Sequence, residues 1–123
     1  MIVVDPASPV APYEQLRAQF VDEIAAGGLP AGSRLPTVRR LADDLGVAPG
    51  TVARAYRELE AAGFIETRGR NGSFVAPQGD AATQQAQRAA AAFAAQIRSL
   101  RLDPDRALAL VAAALRPDPP VAG

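Results

Sequence analysis

The chain has 123 residues, 49% of them apolar, with 13 basic residues against 13 acidic ones and neither Cys nor His. That length suits one small domain with an appendage. Lacking Cys and His, it lacks the commonest metal ligands and nucleophile–base pairs, and zero net charge argues against a generally basic nucleic-acid sponge.

All 13 basic residues are arginine. Seven of them (34, 39, 40, 54, 57, 68, 70) lie between Arg34 and Arg70, against five acids (43, 44, 58, 60, 66). The excess is modest, so any anion-binding surface must come from how the arginines are placed. No apolar run approaches the roughly 20 residues of a membrane span, and the N-terminus lacks the basic and apolar regions of a signal peptide. A soluble, cytoplasmic chain with no membrane partner, metal or cofactor is expected. Acidic pairs such as Asp43 with Asp44, or Glu58 with Glu60, are adjacent or two apart on helices and do not converge, so no catalytic residue is assigned.

Residues 1–4, MIVV, are expected to form a short edge strand, and Pro6, Pro9 and Pro12 make an extended lead-in. A helix follows from about Pro12 to Ala26, with Tyr13, Leu16, Phe20 and Ile24 on one stripe. Residues 33–36 are extended. Thr37 is a good N-cap for a second helix from about Val38 to Leu45, which Gly46 closes in the left-handed conformation. Pro49 or Gly50 opens a third helix, running to about Ala62, whose inward residues are Val52, Ala55, Tyr56 and Leu59. Residues 64–67 and 73–76 pair as a hairpin, signalled by Asn71-Gly72 in the connection. Residues 77–80 link to a fourth helix capped by Asp80, spanning about 81–102. Asp103-Pro104 starts a fifth, ending near Arg116. Residues 117–123 are expected to be a flexible tail.

Helix, tight turn, helix and hairpin in that order are the grammar of a winged helix-turn-helix. Ala42 must be small where the third helix crosses, Gly46 must turn left-handed, and Val47 and Val52 fill the wedge. The fold class expected is mainly α with a small β-hairpin wing. Residues 1–76 form the winged helix-turn-helix, 77–80 the linker and 81–116 a two-helix dimerisation segment. In such folds the third helix enters the major groove and the wing lies along the backbone or minor groove.

The segment GLPAGSRLPTVRRLADDLGVAPGTVARAYRELEAAGFIETRGRNGSFV closely resembles the N-terminal DNA-binding domain of the GntR family of bacterial transcription regulators. The likeness runs from about Tyr13 to Val75. It follows the family's "S/T-x-R-x-LA-x-x-L" helix, its "T-V-x-x-A-Y-x-x-L" recognition helix, and a "G-x-I" strand leading to the wing. The resemblance implies that Arg39 contacts DNA and that Thr37 sits near a phosphate. Several branches carry arginine where this chain has Pro49, and Gly50 offers no side chain, so base reading leans on Thr51, Arg54 and Arg39. Arg54 has three options: a guanine edge, a phosphate, or an ion pair with Glu58. Arg34 could touch backbone. Arg68, Arg70, Asn71, Gly72 and Ser73 make the wing contacts, with Gly72 letting the backbone approach.

Fewer than fifty residues follow Val75. That resembles the short, YtrA-like branch, whose C-terminal helical pair serves mainly for dimerisation, rather than branches with large ligand or aminotransferase-like domains. Phe93, Ile97 and Leu100 lie on one apolar stripe, and Leu108, Val111 and Leu115 on another. A homodimer covers these faces; the alternative is folding back on the chain's own head. The expected function is a homodimeric regulator, a repressor on a near-palindromic double-stranded operator, with any small-molecule effector unidentified. The alternative is a winged helix used as a protein-interaction module without specific DNA binding.

Overall fold

The computed structural model describes residues 2–117. Its elements are α1 (Pro12–Ala25), α2 (Val38–Leu45), α3 (Pro49–Ala61), β1 (Ile65–Thr67), β2 (Ser73–Val75), α4 (Ala81–Leu100) and α5 (Pro104–Leu115). The fold is mainly α with a two-stranded antiparallel wing, as expected. The tail expected over 117–123 falls outside the described residues apart from Pro117.

Two compact units divide within α4, between Ala89 and Ala90. The first, called the head below, extends past residue 76 because the start of α4 is tied to it. The Gln78 N–H donates to Gln87 Oε1 at 3.1 Å, Gln87 Nε2 donates to the Gln78 carbonyl at 2.6 Å, and Arg88 lies 3.7 Å from Glu66.

Helical periodicity builds the head's core. Leu16, Phe20 and Ile24 of α1, Leu41 and Ala42 of α2, and Val52, Ala55, Tyr56 and Leu59 of α3 are buried together with Leu35, Ile65 and Val75. Burying each large apolar side chain stabilises by about 1.5–3 kcal/mol. Both α1 and α2 pack on α3. Tyr56 meets Phe20 edge to face at 5.8 Å, and its hydroxyl donates to the Pro36 carbonyl at 2.8 Å. Burial pushes that phenol well above the ordinary tyrosine range.

In the wing, Ile65 pairs with Val75, Glu66 with Phe74 and Thr67 with Ser73. Residues 32–35 add a short third rung. The Leu35 N–H donates to the Ser73 carbonyl and the Val75 N–H to the Ser33 carbonyl, both at 2.8 Å.

One detail of the head differs from expectation. Residues 2–4 are not a strand. Their partner is a side chain: Val3 donates its N–H to Gln19 Oε1 at 2.9 Å and accepts from Gln19 Nε2 at 2.5 Å. Gln15 holds Asp5 in the same way. One carboxamide offers the donor and acceptor that a neighbouring strand would supply. The hairpin expected around Asn71-Gly72 is present, with residues 68–72 as its connection. Positive φ falls on Gly69 (54°) and Gly72 (101°), Asn71 closes a single 3₁₀ turn, and the Arg68 N–H donates to the Gly72 carbonyl at 2.8 Å.

The second unit contains the end of α4 and all of α5. Asp103 caps α5, accepting from the Arg106 N–H at 3.3 Å, and Pro104 sits in its first turn. Helix α4 stops at Leu100, two residues short of expectation, because Arg101 turns left-handed at φ 55°. Among the described residues of this unit only Ala107 is buried. Leu100, Leu108, Leu110 and Leu115 are 67%, 68%, 55% and 77% exposed. No helix among the described residues is long and apolar enough to cross a membrane.

Candidate nucleic-acid interface

The geometry of the turn follows from a few residues. Thr37 caps α2, its hydroxyl accepting from the Arg40 N–H at 3.1 Å. Gly46 ends α2 at φ 69°, in the left-handed region where a side chain costs about 1–2 kcal/mol. The Val47 N–H then donates back to the Ala42 carbonyl at 3.0 Å, and α3 starts with Pro49 in its first turn. Ala48, at the N-cap, supplies no side-chain cap to α3. Gly50 has ordinary helical φ and only open space where a Cβ would stand. Nothing inside the chain requires a glycine there. Pro49 and Gly50 are exposed at the helix start, and Thr51 is half-buried.

The arginines of the head divide into two groups. In the first, each guanidinium has a partner. Arg40 pairs with Asp44 at 3.3 Å. Arg54 pairs with Glu58 at 3.3 Å and lies over the Tyr13 ring, 3.7 Å from its centroid; Glu58 is shared with Arg17 of α1. Arg68 bonds Glu66 at 2.7 Å and covers the Phe74 ring. That bond to Arg68 holds the Glu66 carboxyl below the ordinary glutamate range, and the charge of Arg88 adds to it. In the second group, Arg34, Arg39, Arg57 and Arg70 have no side-chain ion pair or hydrogen bond among the described residues. All four are exposed. Arg34 lies against the wing: a Cβ on Gly72 would come within 3.3 Å of its Nε.

Of the residues expected at the site, Arg39 of α2 and Arg70 of the wing present free guanidinium groups. Arg34 joins them at the base of the wing. Arg54 takes the third of its options, the ion pair with Glu58. Asn71 is exposed, and Ser73 borders a groove of about 210 Å³ with Val38, Ala53, Arg57, Glu60 and Thr67. Arg57 was not singled out by sequence, although its i+3 spacing from Arg54 puts it on the same broad exposed side. A second cavity in the head, about 460 Å³, is lined mainly by apolar side chains, among them Ile24, Leu29, Phe64 and Val75.

Residues 12–75 match the family described as bacterial regulatory proteins, gntR family. The HTH-type transcriptional regulator Rv1152 of Mycobacterium tuberculosis is 64% identical over 63 residues, covering 51% of this chain and 52% of that protein. The HTH-type transcriptional repressor YtrA of Bacillus subtilis is 40% identical over 75 residues, 61% of this chain and 58% of that protein. The chain thus spans little more than half the length of these relatives. Among solved structures, YtrA from Sulfolobus acidocaldarius, a GntR-family transcription factor, is 31% identical with a TM-score of 0.59, covering 81% of this chain and 97% of the other. The N-terminal domain of AraR in complex with mutant ORR3 is 26% identical with a TM-score of 0.51, covering 56% of this chain and 100% of that one. With the family pattern over more than half its length, on helices, turn and wing in the matching order, this chain belongs to the gntR family of bacterial regulatory proteins and is YtrA-like.

Proposed function

We propose that the chain is a DNA-binding transcription regulator of the cytoplasm, not an enzyme. It acts as a homodimeric repressor on a near-palindromic operator. One observation carries this reading: among the described residues of the head, five arginines pair with carboxylates, whereas Arg34 before α2, Arg39 on α2, Arg57 on α3 and Arg70 in the wing have no such partner. Unpaired guanidinium groups on the elements that meet a duplex are what phosphate and base-edge contacts need. Open space at Gly50 supports close approach of α3 to DNA, with Thr37 and Thr51 beside the backbone. Arg70 and Ser73 make the wing contact, while Arg68 is held by Glu66 and the Phe74 ring.

The relatives support the rest. AraR's N-terminal domain was solved in complex with mutant ORR3, and the Bacillus YtrA is named a repressor. One such head makes few contacts, and two half-sites supply the missing specificity. The exposed leucines after Ala89 are the surface that joins two copies, together with the half-buried Phe93, Ile97 and Val111 of the same two helices.

The test is selection of duplexes from a random library, followed by anisotropy across a salt series with the wild-type chain and Arg39→Ala. A palindromic winner bound at least a thousandfold more tightly than random DNA, and weakened by Arg39→Ala, is expected. Weak binding that is equal for all sequences and indifferent to the substitution overturns the reading.

A further inference from the structure

Helix α3 carries two exposed arginines three residues apart. At 3.6 residues per turn their directions differ by about 60°. Arg54 falls on the side of α1. Its guanidinium is sandwiched there between the Tyr13 ring at 3.7 Å and Glu58 at 3.3 Å, and Glu58 is further anchored by Arg17 at 3.4 Å. Arg57 falls on the side of the wing. It borders the groove formed with Val38 of α2, Glu60 of α3, and Thr67 and Ser73 of the two strands. Ala53, one turn before it on the same face, is too short to shield it. The acid nearest along this face, Glu60, has its carboxylate engaged by the Thr67 hydroxyl.

We propose that Arg57, not Arg54, is the guanidinium with which α3 reads base edges, and that Arg54 is a strut fastening α3 to α1. The inference rests on the DNA-binding reading above. A ligand contact made by Arg54 requires breaking an ion pair and a cation–π contact first, and that loss subtracts from whatever the duplex returns. Among the described residues Arg57 has no side-chain ion pair or hydrogen bond to break. Its planar fork suits a guanine edge, O6 and N7 together, and the point charge of lysine matches that pair less well.

The experiment uses the full chain and the winning duplex from the selection, with a panel in which each base pair is changed singly. Wild type, Arg57→Ala, Arg57→Lys and Arg54→Ala are compared by anisotropy and by thermal melting. Arg57→Ala should bind the winner about tenfold to a hundredfold more weakly, and lose its preference at one position per half-site, with unchanged melting. Arg57→Lys should keep the wild-type salt dependence yet weaken that preference. Arg54→Ala should melt at a lower temperature and keep the full base preference. Wild-type discrimination by Arg57→Ala overturns the proposal, as does loss of one base preference in an Arg54→Ala protein of unchanged melting. A wild-type chain that selects no duplex overturns the DNA reading itself, a result distinct from either.

Discussion

In the head, α1, α2 and α3 each turn an apolar stripe inward, and the twelve residues so buried come from all three helices, both strands and the segment before α2. Beyond Ala89 the same kind of stripe finds no such cover. The described part of the second unit buries Ala107 and leaves four leucines more than half exposed. The head can therefore be stable as a single copy, whereas the second unit has apolar surface whose burial requires another surface. If a second copy supplies that surface, as proposed above, the stability of the second region depends on protein concentration, whereas that of the head does not.

The sharpest way to break this contrast is in the head's centre. Leu59 is fully buried, and Leu59→Ala should lower unfolding free energy by about 2–5 kcal/mol in denaturant titrations, equally at low and high protein concentration. Leu108→Asp tests the other region. It should weaken self-association at least tenfold in sedimentation equilibrium, about 1.4 kcal/mol or more, while a dilute sample melts as the wild type does. An equal loss of stability in dilute monomer would place Leu108 in a private core and remove the contrast. Next in size, Thr37→Ala removes the cap of α2 and should cost about 1 kcal/mol, with Thr37→Ser restoring most of it.

The smallest effect concerns pH. The Glu66 carboxyl is held below the ordinary glutamate range, so the folded state favours its charged form. Its contribution is complete above the unfolded-state value and is lost as pH falls through the folded-state value. Head stability measured by thermal melting should therefore fall as the solution is acidified through this range, and Glu66→Gln should flatten that part of the profile.

Much of the head was legible because its elements announce themselves locally. The spacing of Leu16, Phe20 and Ile24, and that of Val52, Ala55, Tyr56 and Leu59, repeats on one helical face. Thr37 and Gly46, and in the second unit the Asp103-Pro104 pair, mark boundaries by their own chemistry. What was not legible depends on neighbours distant in sequence. MIVV reads as a strand because its residues favour one, and only the fold brings Gln19 to take the partner's place. Arg101 gave no sign of turning left-handed, since it occupies a seat that glycine usually fills. Arg54 and Arg57 are alike by period and composition. Which of them stays free is decided by where α1 and the wing sit around α3, and periodicity along one helix carries no such information.

The hydroxyl of Tyr56 reaches across to the carbonyl of Pro36, the residue just before the cap of α2. One phenol thereby joins the body of α3 to the point where α2 begins, with Arg39 two residues past that cap. The angle between the two helices is set when the chain folds, so it need not be found again on contact with a partner. On the DNA-binding reading proposed above, the association rate should then follow ionic strength and diffusion, with no slow rearrangement step. Tyr56→Phe keeps the ring and removes the tether, leaving a head with the same core but a looser gauge between its two leading helices.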